Sequence, residues 1–317
     1  MSLNAFSPSA PLQGVSPLPH LGVMRAVGAD AANFLHNQLT NDVLLMKPEQ
    51  CRLAAFCNAK GRMQASFVVY KRSAEDLLLI GRQDLMAQTI KRLSMFVLRA
   101  KVKLTDATQE FQLLGLAGEA VSQALGGAAS TGALTTPWQR LTANSADVLT
   151  LYPALGQPRA LWLAPKDLAA PAAPALSAAL WQVGEVMSGI AWVEQATYEA
   201  FVPQMLNYES VDGVNFKKGC YPGQEVVARS QFRGTLKRRA FIVQSDAAMS
   251  AGQEVFSSQG ANQPCGLIAQ AAHDGAQHVA IAELQLSATE NSSLHLGAAD
   301  GAVLTLLPLP YALREDI

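Results

Sequence analysis

The sequence predicts an α+β protein in which two lobes of antiparallel sheet and helix precede a β-rich C-terminal domain. Over residues 21–104, strand and helix patterns follow the order β-α-β-β-β-α-β, which favours antiparallel pairing over a doubly wound parallel sheet. A looser succession of the same kind occupies about residues 111–190. From Arg239 onward, short β-rich runs alternate with Gly, Asn, Asp and Ser turns, which is typical of a small β-barrel or sandwich.

The elements of the first lobe follow from apolar spacing and turn residues. Residues 1–20 are rich in Ser and Pro, and we expect them to form a flexible lead-in. Leu21–Val27 has the pattern of a strand, and Asp30 is placed to cap a helix whose apolar residues recur at helical spacing. The remaining elements are predicted as strands at 53–57, 63–70, 77–80 and 102–104, a turn at 58–61, and a helix that starts at Asp84 with an apolar stripe reaching Leu98.

The second lobe and the C-terminal domain are predicted from the same signals. The second lobe has predicted strands at 111–116, 148–152 and 160–163, a helix at 176–187, and loops at 126–136 and 164–174. The C-terminal strands are predicted at 241–243, 254–257, 266–270, 278–281 and 303–306. We therefore divide the chain into the lead-in 1–20, an α+β region 21–236 with two lobes (about 21–110 plus 190–236, and 111–189), and a β-barrel domain 237–317.

Composition excludes several classes of protein. Half of the 317 residues are hydrophobic and the net charge is −1, so the chain is neither disordered nor a dedicated nucleic-acid binder, whose domain is usually strongly basic. No basic residue precedes Arg25 and no apolar run could cross a bilayer, so we expect no secretory signal and no membrane partner. The four cysteines form no C-x-x-C pair, which indicates reduced thiols in a cytoplasmic protein and predicts no metal site.

One segment departs from the neutral average. Residues 217–239 carry seven basic residues and one acidic residue, a net charge of +6. Two interpretations stay open from the residues alone: a solvated face at a seam between domains, or an anion site for carboxylates, phosphates or an RNA backbone.

The same segment contains an unusual cysteine. Gly219, Pro222 and Gly223 predict a tight loop, and the following residues suit a short helix that runs from Gln224 to about Arg229. A cysteine at position 220 then lies just before a helix N-terminus and beside two lysines, both of which stabilise a thiolate. The alternative is that it is a small buried hydrophobic residue.

A series of motifs extends beyond this loop. The loop itself reads KGCYPGQE at 218–225 and continues as VVARSQFRG at 226–234, and upstream lie FLHNQLTNDV at 34–43, NAKGR at 58–62 and FVPQMLN at 201–207. In order and spacing they resemble the motifs of the YgfZ family, whose signature is K-G-C-Y-x-G-Q-E. Members of that family are folate-binding relatives of the glycine-cleavage T-protein that act in iron–sulfur protein maturation. The resemblance covers roughly residues 21–240.

The resemblance implies a fold, a ligand and a set of site residues. It implies a three-lobed, T-protein-like α+β ring with ferredoxin-like antiparallel sheets around a central folate channel, and a C-terminal β-barrel. The implied ligand is tetrahydrofolate, whose glutamate tail suits a cationic rim. The implied catalytic residues are Cys220 and Lys218, and the implied folate-binding residues are Gln204, Asn207, Lys218, Gly219, Tyr221, Gln224, Glu225, Arg229, Arg233 and the position of Met187.

Two departures from the relatives matter for chemistry. Where the T-protein has adjacent aspartates, one of them catalytic, this chain has Ala65 and Ser66, so we do not expect a conventional aminomethyltransferase. Met187 occupies the position of a glutamate that pairs with the pterin ring, and methionine cannot accept those hydrogen bonds. Glu185 and Glu194 are the neighbouring carboxylates that could substitute.

The resemblance implies a folate-binding accessory protein that supports assembly or repair of iron–sulfur enzymes, including radical enzymes that thiolate tRNA, through Cys220. Its expected partners are those enzymes or cluster-assembly proteins. Two alternatives stay open: a folate-dependent one-carbon transferase or demethylase, and a module that binds RNA or protein through the basic 217–239 face. The neutral net charge argues against direct binding of nucleic acid.

Overall fold

A computed structural model describes residues 6–127, 132, 134, 136–232, 236–260, 263–290 and 292–314. Its strands, β1 to β16, span Gly14–Pro17, Leu21–Val27, Cys51–Cys57, Met63–Ser73, Asp76–Arg82, Lys103–Asp106, Phe111–Ala117, Arg140–Ala143, Ala146–Ala154, Gln157–Pro165, Arg238–Ser245, Glu254–Ser257, Gly266–His273, His278–Gln285, Leu294–Leu296 and Val303–Leu307. Its α-helices, α1 to α6, span Ala31–His36, Gln83–Ser94, Glu119–Ala124, Ala178–Met187, Gln224–Phe232 and Leu286–Glu290. Short 3₁₀ turns occur at Thr108–Glu110, Gln195–Thr197 and Pro203–Leu206.

The first lobe is a five-stranded sheet in the order β3-β4-β5-β2-β6, with every neighbouring pair antiparallel. Side chains alternate between the two faces of each strand, and here both faces are buried. In β3, for example, Leu53 faces the central core of the protein, whereas Phe56 packs with Phe34 and Leu35 of α1 and with residues of α2. Burial on both faces explains why these strands are almost continuously apolar.

The second lobe is a five-stranded antiparallel sheet in the order β1-β7-β10-β9-β8. Its edge strand β1 corrects the prediction for residues 1–20, because Gly14–Pro17 pairs with β7 instead of belonging to a flexible lead-in. Its one proline, Pro17, is the last residue of the strand, a position that is compatible with an edge strand. Leu12 and Leu18 are also buried, so burial of apolar side chains fixes this segment.

The C-terminal strands form a closed barrel in the order β11-β14-β13-β12-β15-β16. It begins at Arg238, at the end of the basic segment, and its strand β13 packs against α4 of the second lobe. Ile242 and Ile281 of the barrel lie in the same buried cluster as Val23 of the first lobe and Leu161 of the second. A single continuous core therefore joins all three parts.

Several local predictions need correction. Helix α2 ends at Ser94, so Leu98 lies beyond it and is 87% exposed instead of continuing the apolar stripe. Strands β8 and β15 were not expected, because each is only three or four residues long and its apolar pattern is weak. The predicted loop at 126–136 falls largely outside the described residues. Among the helices of the described chain, none has the length and apolarity that a membrane span requires.

Candidate functional site

A cleft of about 950 Å³ opens where the lobes meet. Its walls come from residues that are distant in the chain: Asn41, Gln50, Cys51, Arg52, Thr136, Pro137, Trp138, Gln139, Tyr152, Asp212, Val214, Asn215, Phe216, Lys217, Gln231 and Arg314. Three cationic side chains and one acidic side chain face this space, so the cleft favours an anionic ligand. Its size is within the range of small-molecule sites.

Two aromatic residues, Trp138 and Tyr152, line the cleft, and the backbone of Trp138 is strained. Trp138 has a φ of 64°, a conformation that is unfavourable for a bulky residue, and its indole N–H donates to the Val211 carbonyl at 3.0 Å. The ring of Tyr152 lies 5.8 Å from that of Trp138, and burial raises the pKa of the Tyr152 hydroxyl to about 12. Strain that persists in a cleft is a common feature of ligand sites.

The cleft also contains polar atoms that lack partners. Arg52 contacts Asn41 and Gln50 through its terminal nitrogens, but its buried Nε has no hydrogen-bond partner. The buried Oε1 of Gln231 also has none. Buried polar atoms are normally satisfied, so these atoms are available to a bound molecule.

The KGCYPGQE loop starts at the cleft and leaves it. Lys217 lines the cleft, but the Nζ of Lys218 turns inward and donates to the carbonyls of His36 (2.6 Å), Leu39 (3.0 Å) and Gly219 (3.2 Å). Its ammonium also lies 4.6 Å from the centre of the Tyr221 ring. Burial lowers the pKa of Lys218 to about 8, against the opposing effects of Asp42 and Cys220. Lys218 therefore ties the loop to the end of helix α1.

The other end of the loop is fixed by glycine. Gly223 has a φ of +79°, and a Cβ added there would lie 2.4 Å from the Asn58 carbonyl oxygen and 2.6 Å from Gly61. This close approach packs the loop directly on the turn at 58–61 that joins β3 and β4. Helix α5 begins at the next residue, as predicted, and its Gln231 returns to the cleft.

Cys220 is exposed in this loop, four residues before the start of α5. All four cysteines are described, and the other three are buried. Burial raises the pKa of the Cys51 and Cys57 thiols, which makes those two inert. The interpretation of Cys220 as a buried hydrophobic residue is therefore wrong.

A histidine that sequence reasoning did not place lies beside the loop. The Nδ1 of His36 is 3.2 Å from a carboxylate oxygen of Asp42, and a Cβ on Gly219 would lie 3.7 Å from its Nε2. Burial, and then the charge of Lys218, lower the pKa of His36, while Asp42 opposes them. A buried histidine next to the cysteine loop stays mostly neutral at pH 7.

The basic segment does not form one anion site. Arg238 pairs with Glu283, and Arg239 pairs with Glu209 at 2.6 Å and reaches the carbonyl of Arg314. Arg229 pairs with Glu225 on the exposed face of α5 at 2.6 Å. Lys218 is also bound to carbonyls, so much of the positive charge is neutralised by partners within the protein. Among the described basic residues of this segment, Lys217 lines the cleft. Arg233 lies outside the described residues.

Most of the residues expected to bind folate have structural contacts. Gln204 is buried and donates to the Val227 carbonyl of α5 at 2.7 Å, and Asn207 donates to the Ala240 carbonyl of β11 at 2.8 Å. Met187 is packed in the central core. Among the described residues that line the cleft, none of the expected folate-binding residues occurs. Gly219, Tyr221, Gln224 and Glu225 belong to the loop and to the first turn of α5.

The two residues at the T-protein aspartate positions are also internal. Ala65 and Ser66 are buried in β4, and the Ser66 hydroxyl accepts the N–H of Val193 at 3.0 Å. Neither side chain supplies a carboxylate to the cleft.

A narrow inner pocket lies next to the cleft, and Trp138 and Tyr152 line both spaces. Its charged residues are Arg159 of β10 and Glu185 of α4, and both side chains are buried. From the sequence, Glu185 was expected as a possible substitute for the glutamate that is missing at Met187. Arg159 was not identified, because an arginine in a strand normally points to solvent. Glu194, the other candidate, instead pairs with Arg82 at 3.3 Å.

Comparisons with known proteins extend these observations. The family model for the GCVT N-terminal domain matches residues 13–145. Two proteins named "tRNA-modifying protein YgfZ" are each 30% identical to this chain. The protein from Sodalis glossinidius aligns over 309 residues, 91% of this chain and 90% of its own length. The protein from Photobacterium profundum aligns over 303 residues, 93% of this chain and 90% of its own length.

A solved structure supports the fold. The glycine cleavage system aminomethyltransferase T from Bartonella henselae superposes with a TM-score of 0.65 at 14% identity, over 94% of this chain and 86% of that chain. This similarity confirms the predicted T-protein-like fold with antiparallel sheets and a C-terminal barrel.

Proposed function

Because the chain belongs to the YgfZ family, we propose that it is a folate-binding accessory protein that supports the assembly or repair of iron–sulfur enzymes, including those that thiolate tRNA. The two relatives are named as tRNA-modifying proteins, which links the family to tRNA modification. The observation that carries the proposal is the exposed thiol of Cys220, held at a loop between two fixed points, Lys218 and Gly223.

The cleft fits a reduced folate. Its volume of about 950 Å³ accommodates a molecule of that size, and its cationic side chains suit the glutamate tail. The orphaned Nε of Arg52 and Oε1 of Gln231 offer a donor and an acceptor to a bound ligand. When bound, tetrahydrofolate supplies a carrier for one-carbon units. In this chain, Arg52, Lys217 and Gln231 would hold it, and the aromatic wall would exclude water.

We expect Cys220 to be the residue that acts on the iron–sulfur enzymes that this protein supports. Its loop and helix α5 connect Lys217 to Gln231, so the thiol lies on the same chain segment as two residues of the cleft. Within the described residues, no group of three or more His, Cys, Asp or Glu side chains could hold a metal ion. We propose iron–sulfur enzymes or cluster-assembly proteins as the partners, each of which brings its own cluster.

Complementation tests the proposal. In a bacterial strain that lacks its own protein of this family, the wild type should restore the activity of cluster-dependent tRNA-thiolating enzymes, and Cys220→Ala should fail. Cys265→Ala is the matched control, because that thiol is buried in the barrel wall and should not be required. Equal rescue by the wild type and Cys220→Ala would reject an essential role for this thiol.

A further inference from the structure

The turn that follows helix α2 exposes a cluster of apolar side chains. Three of the large hydrophobic residues that are exposed in the described part of the chain lie within four positions: Met95 (62%), Phe96 (41%) and Leu98 (87%). We call residues 95–98 the apolar turn. Single exposed hydrophobic residues are ordinary, but a contiguous group of them commonly marks a site of interaction.

The apolar turn is held in place by its own backbone and by one buried anchor. The Phe96 N–H donates to the Leu93 carbonyl at 2.9 Å, and the Leu98 N–H donates to the Phe96 carbonyl at 3.0 Å. Between them, Val97 packs against the buried cluster that contains Leu93. The exposed side chains are therefore presented by an ordered turn, which reduces the entropy that binding costs.

Basic residues surround the apolar turn. Residues 91–103 carry a net charge of +5, from the exposed side chains of Lys91, Arg92, Arg99, Lys101 and Lys103. We call these five residues the basic rim. Within the described residues, no carboxylate forms an ion pair with any of them. The basic rim therefore differs from the 217–239 segment, where Arg229, Arg238 and Arg239 are all paired.

This combination favours a protein partner with an acidic surface. Met95 and Leu98 need an apolar pocket, which a nucleic-acid backbone does not offer, and three side chains are few for the long apolar face with which interfacial helices bind a bilayer. The unpaired cations of the basic rim need carboxylates opposite them, because a cation that loses water without a partner is destabilised. A second copy of this chain would bring two +5 segments together, and like charges across an interface repel.

The apolar turn and the cysteine loop are connected through helix α1. At the start of α1, the Asp30 carboxylate accepts the Lys101 N–H at 2.7 Å, and the Asp30 N–H donates to the Lys101 carbonyl at 3.2 Å. At its end, the His36 carbonyl accepts from the ammonium of Lys218 at 2.6 Å. The helix has six residues, so these two ends are only about 9 Å apart. A protein bound at the apolar turn therefore lies close to the loop that carries Cys220.

We propose that the apolar turn and the basic rim form the docking site for the iron–sulfur enzymes that this protein supports. The partner enzyme carries the complement, an apolar pocket bordered by Asp and Glu side chains. Met95, Phe96 and Leu98 supply the buried contact, and the basic rim steers the acidic partner during association. This inference rests on the proposed function, because it identifies the surface that holds a partner near Cys220.

Binding between purified proteins tests the docking site. The probe is the cluster-loaded tRNA-thiolating enzyme of the complementation strain, immobilised for biolayer interferometry with the full chain in solution. The double variant Met95→Ser/Leu98→Ser should weaken binding at least about 10-fold, because both side chains leave water in the complex. Lys101→Glu should lower the association rate constant about 10-fold at low salt and much less at high salt, where charges are screened.

Two variants elsewhere on the surface are matched controls. Val303→Ser changes an apolar residue that is 57% exposed on the barrel strand β16, and Lys166→Glu reverses an exposed charge of the second lobe. Both should bind the enzyme as the wild type does. The double variant should unfold at the wild-type temperature, because its two side chains are exposed, so its loss of affinity reports on docking and not on folding.

Other occupants are tested with the same proteins. Purified tRNA, vesicles of phosphatidylglycerol and phosphatidylethanolamine, and sedimentation of the chain alone report on RNA, membrane and self-association. Any of these that depends on Met95 and Leu98, without binding of the enzyme, would overturn the assignment to a protein partner. Enzyme binding that is absent from the wild type, or equal in the wild type and the double variant, would overturn the docking site.

Complementation separates this inference from the proposed function. At matched expression, the double variant should restore less tRNA-thiolating activity than the wild type, whereas Val303→Ser should restore as much. A wild type that fails to complement would overturn the proposed function. A double variant that complements and binds the enzyme as well as the wild type would overturn the docking site alone.

Discussion

Replacing Gly223 by alanine tests whether the cysteine loop depends on close packing against the turn at 58–61. The left-handed conformation at a φ of +79° costs an alanine about 1–2 kcal/mol. The added Cβ would also lie 2.4 Å from the Asn58 carbonyl oxygen, a backbone atom that cannot move aside easily. Overpacking of that kind costs about 1–3 kcal/mol, so we expect Gly223→Ala to lower the free energy of unfolding by about 2–5 kcal/mol.

Two glycines separate the causes of that loss. Gly156 has a φ of +73° and nothing within 4 Å of its added Cβ, so Gly156→Ala measures the conformational cost alone, about 1–2 kcal/mol. Gly219, in the same loop, has no left-handed φ, and its added Cβ would make only an ordinary contact with His36 at 3.7 Å, so Gly219→Ala should change stability by less than about 0.5 kcal/mol. Urea unfolding followed by tryptophan fluorescence gives all three values. A loss in Gly223→Ala no larger than that in Gly156→Ala would refute the packing argument.

Two further predictions concern charged residues of the basic segment. Arg239→Met leaves Glu209 buried without its cation and should lower the free energy of unfolding by about 3–5 kcal/mol. Arg229→Met breaks an exposed pair and should cost less than about 1 kcal/mol. Equal losses in urea unfolding would contradict the assignment of buried and exposed partners. Because the folded state lowers the pKa of Lys218 from 10.5 to about 8, the unfolded state binds more protons between these values, and stability should rise with pH in that window. The wild type should therefore gain stability relative to Lys218→Met between about pH 8 and about pH 10.5, and a pH-independent difference in their unfolding free energies would rule this out.

The cysteine loop shows how far sequence reasoning extends. Turn residues and helix propensity predicted the loop, the start of α5 and the position of Cys220 before it. The same reasoning treated Lys218 as a residue that faces a ligand, but its ammonium is bound to the carbonyl of His36. That contact joins segments 182 residues apart, and no local pattern encodes it.

The sequence by itself determined the class of fold, the alternation of buried strands and the loop that presents Cys220, because strand period, turn chemistry and motif spacing are properties of neighbouring residues. Only the tertiary structure decided which charges are neutralised, that Gly14–Pro17 pairs with β7, and that Arg159 and Glu185 line the same inner pocket. Each of those outcomes depends on which segments, distant in the chain, pack against each other and remove the side chains between them from water. Burial then turns an ordinary arginine into a cation whose Nε has no hydrogen-bond partner.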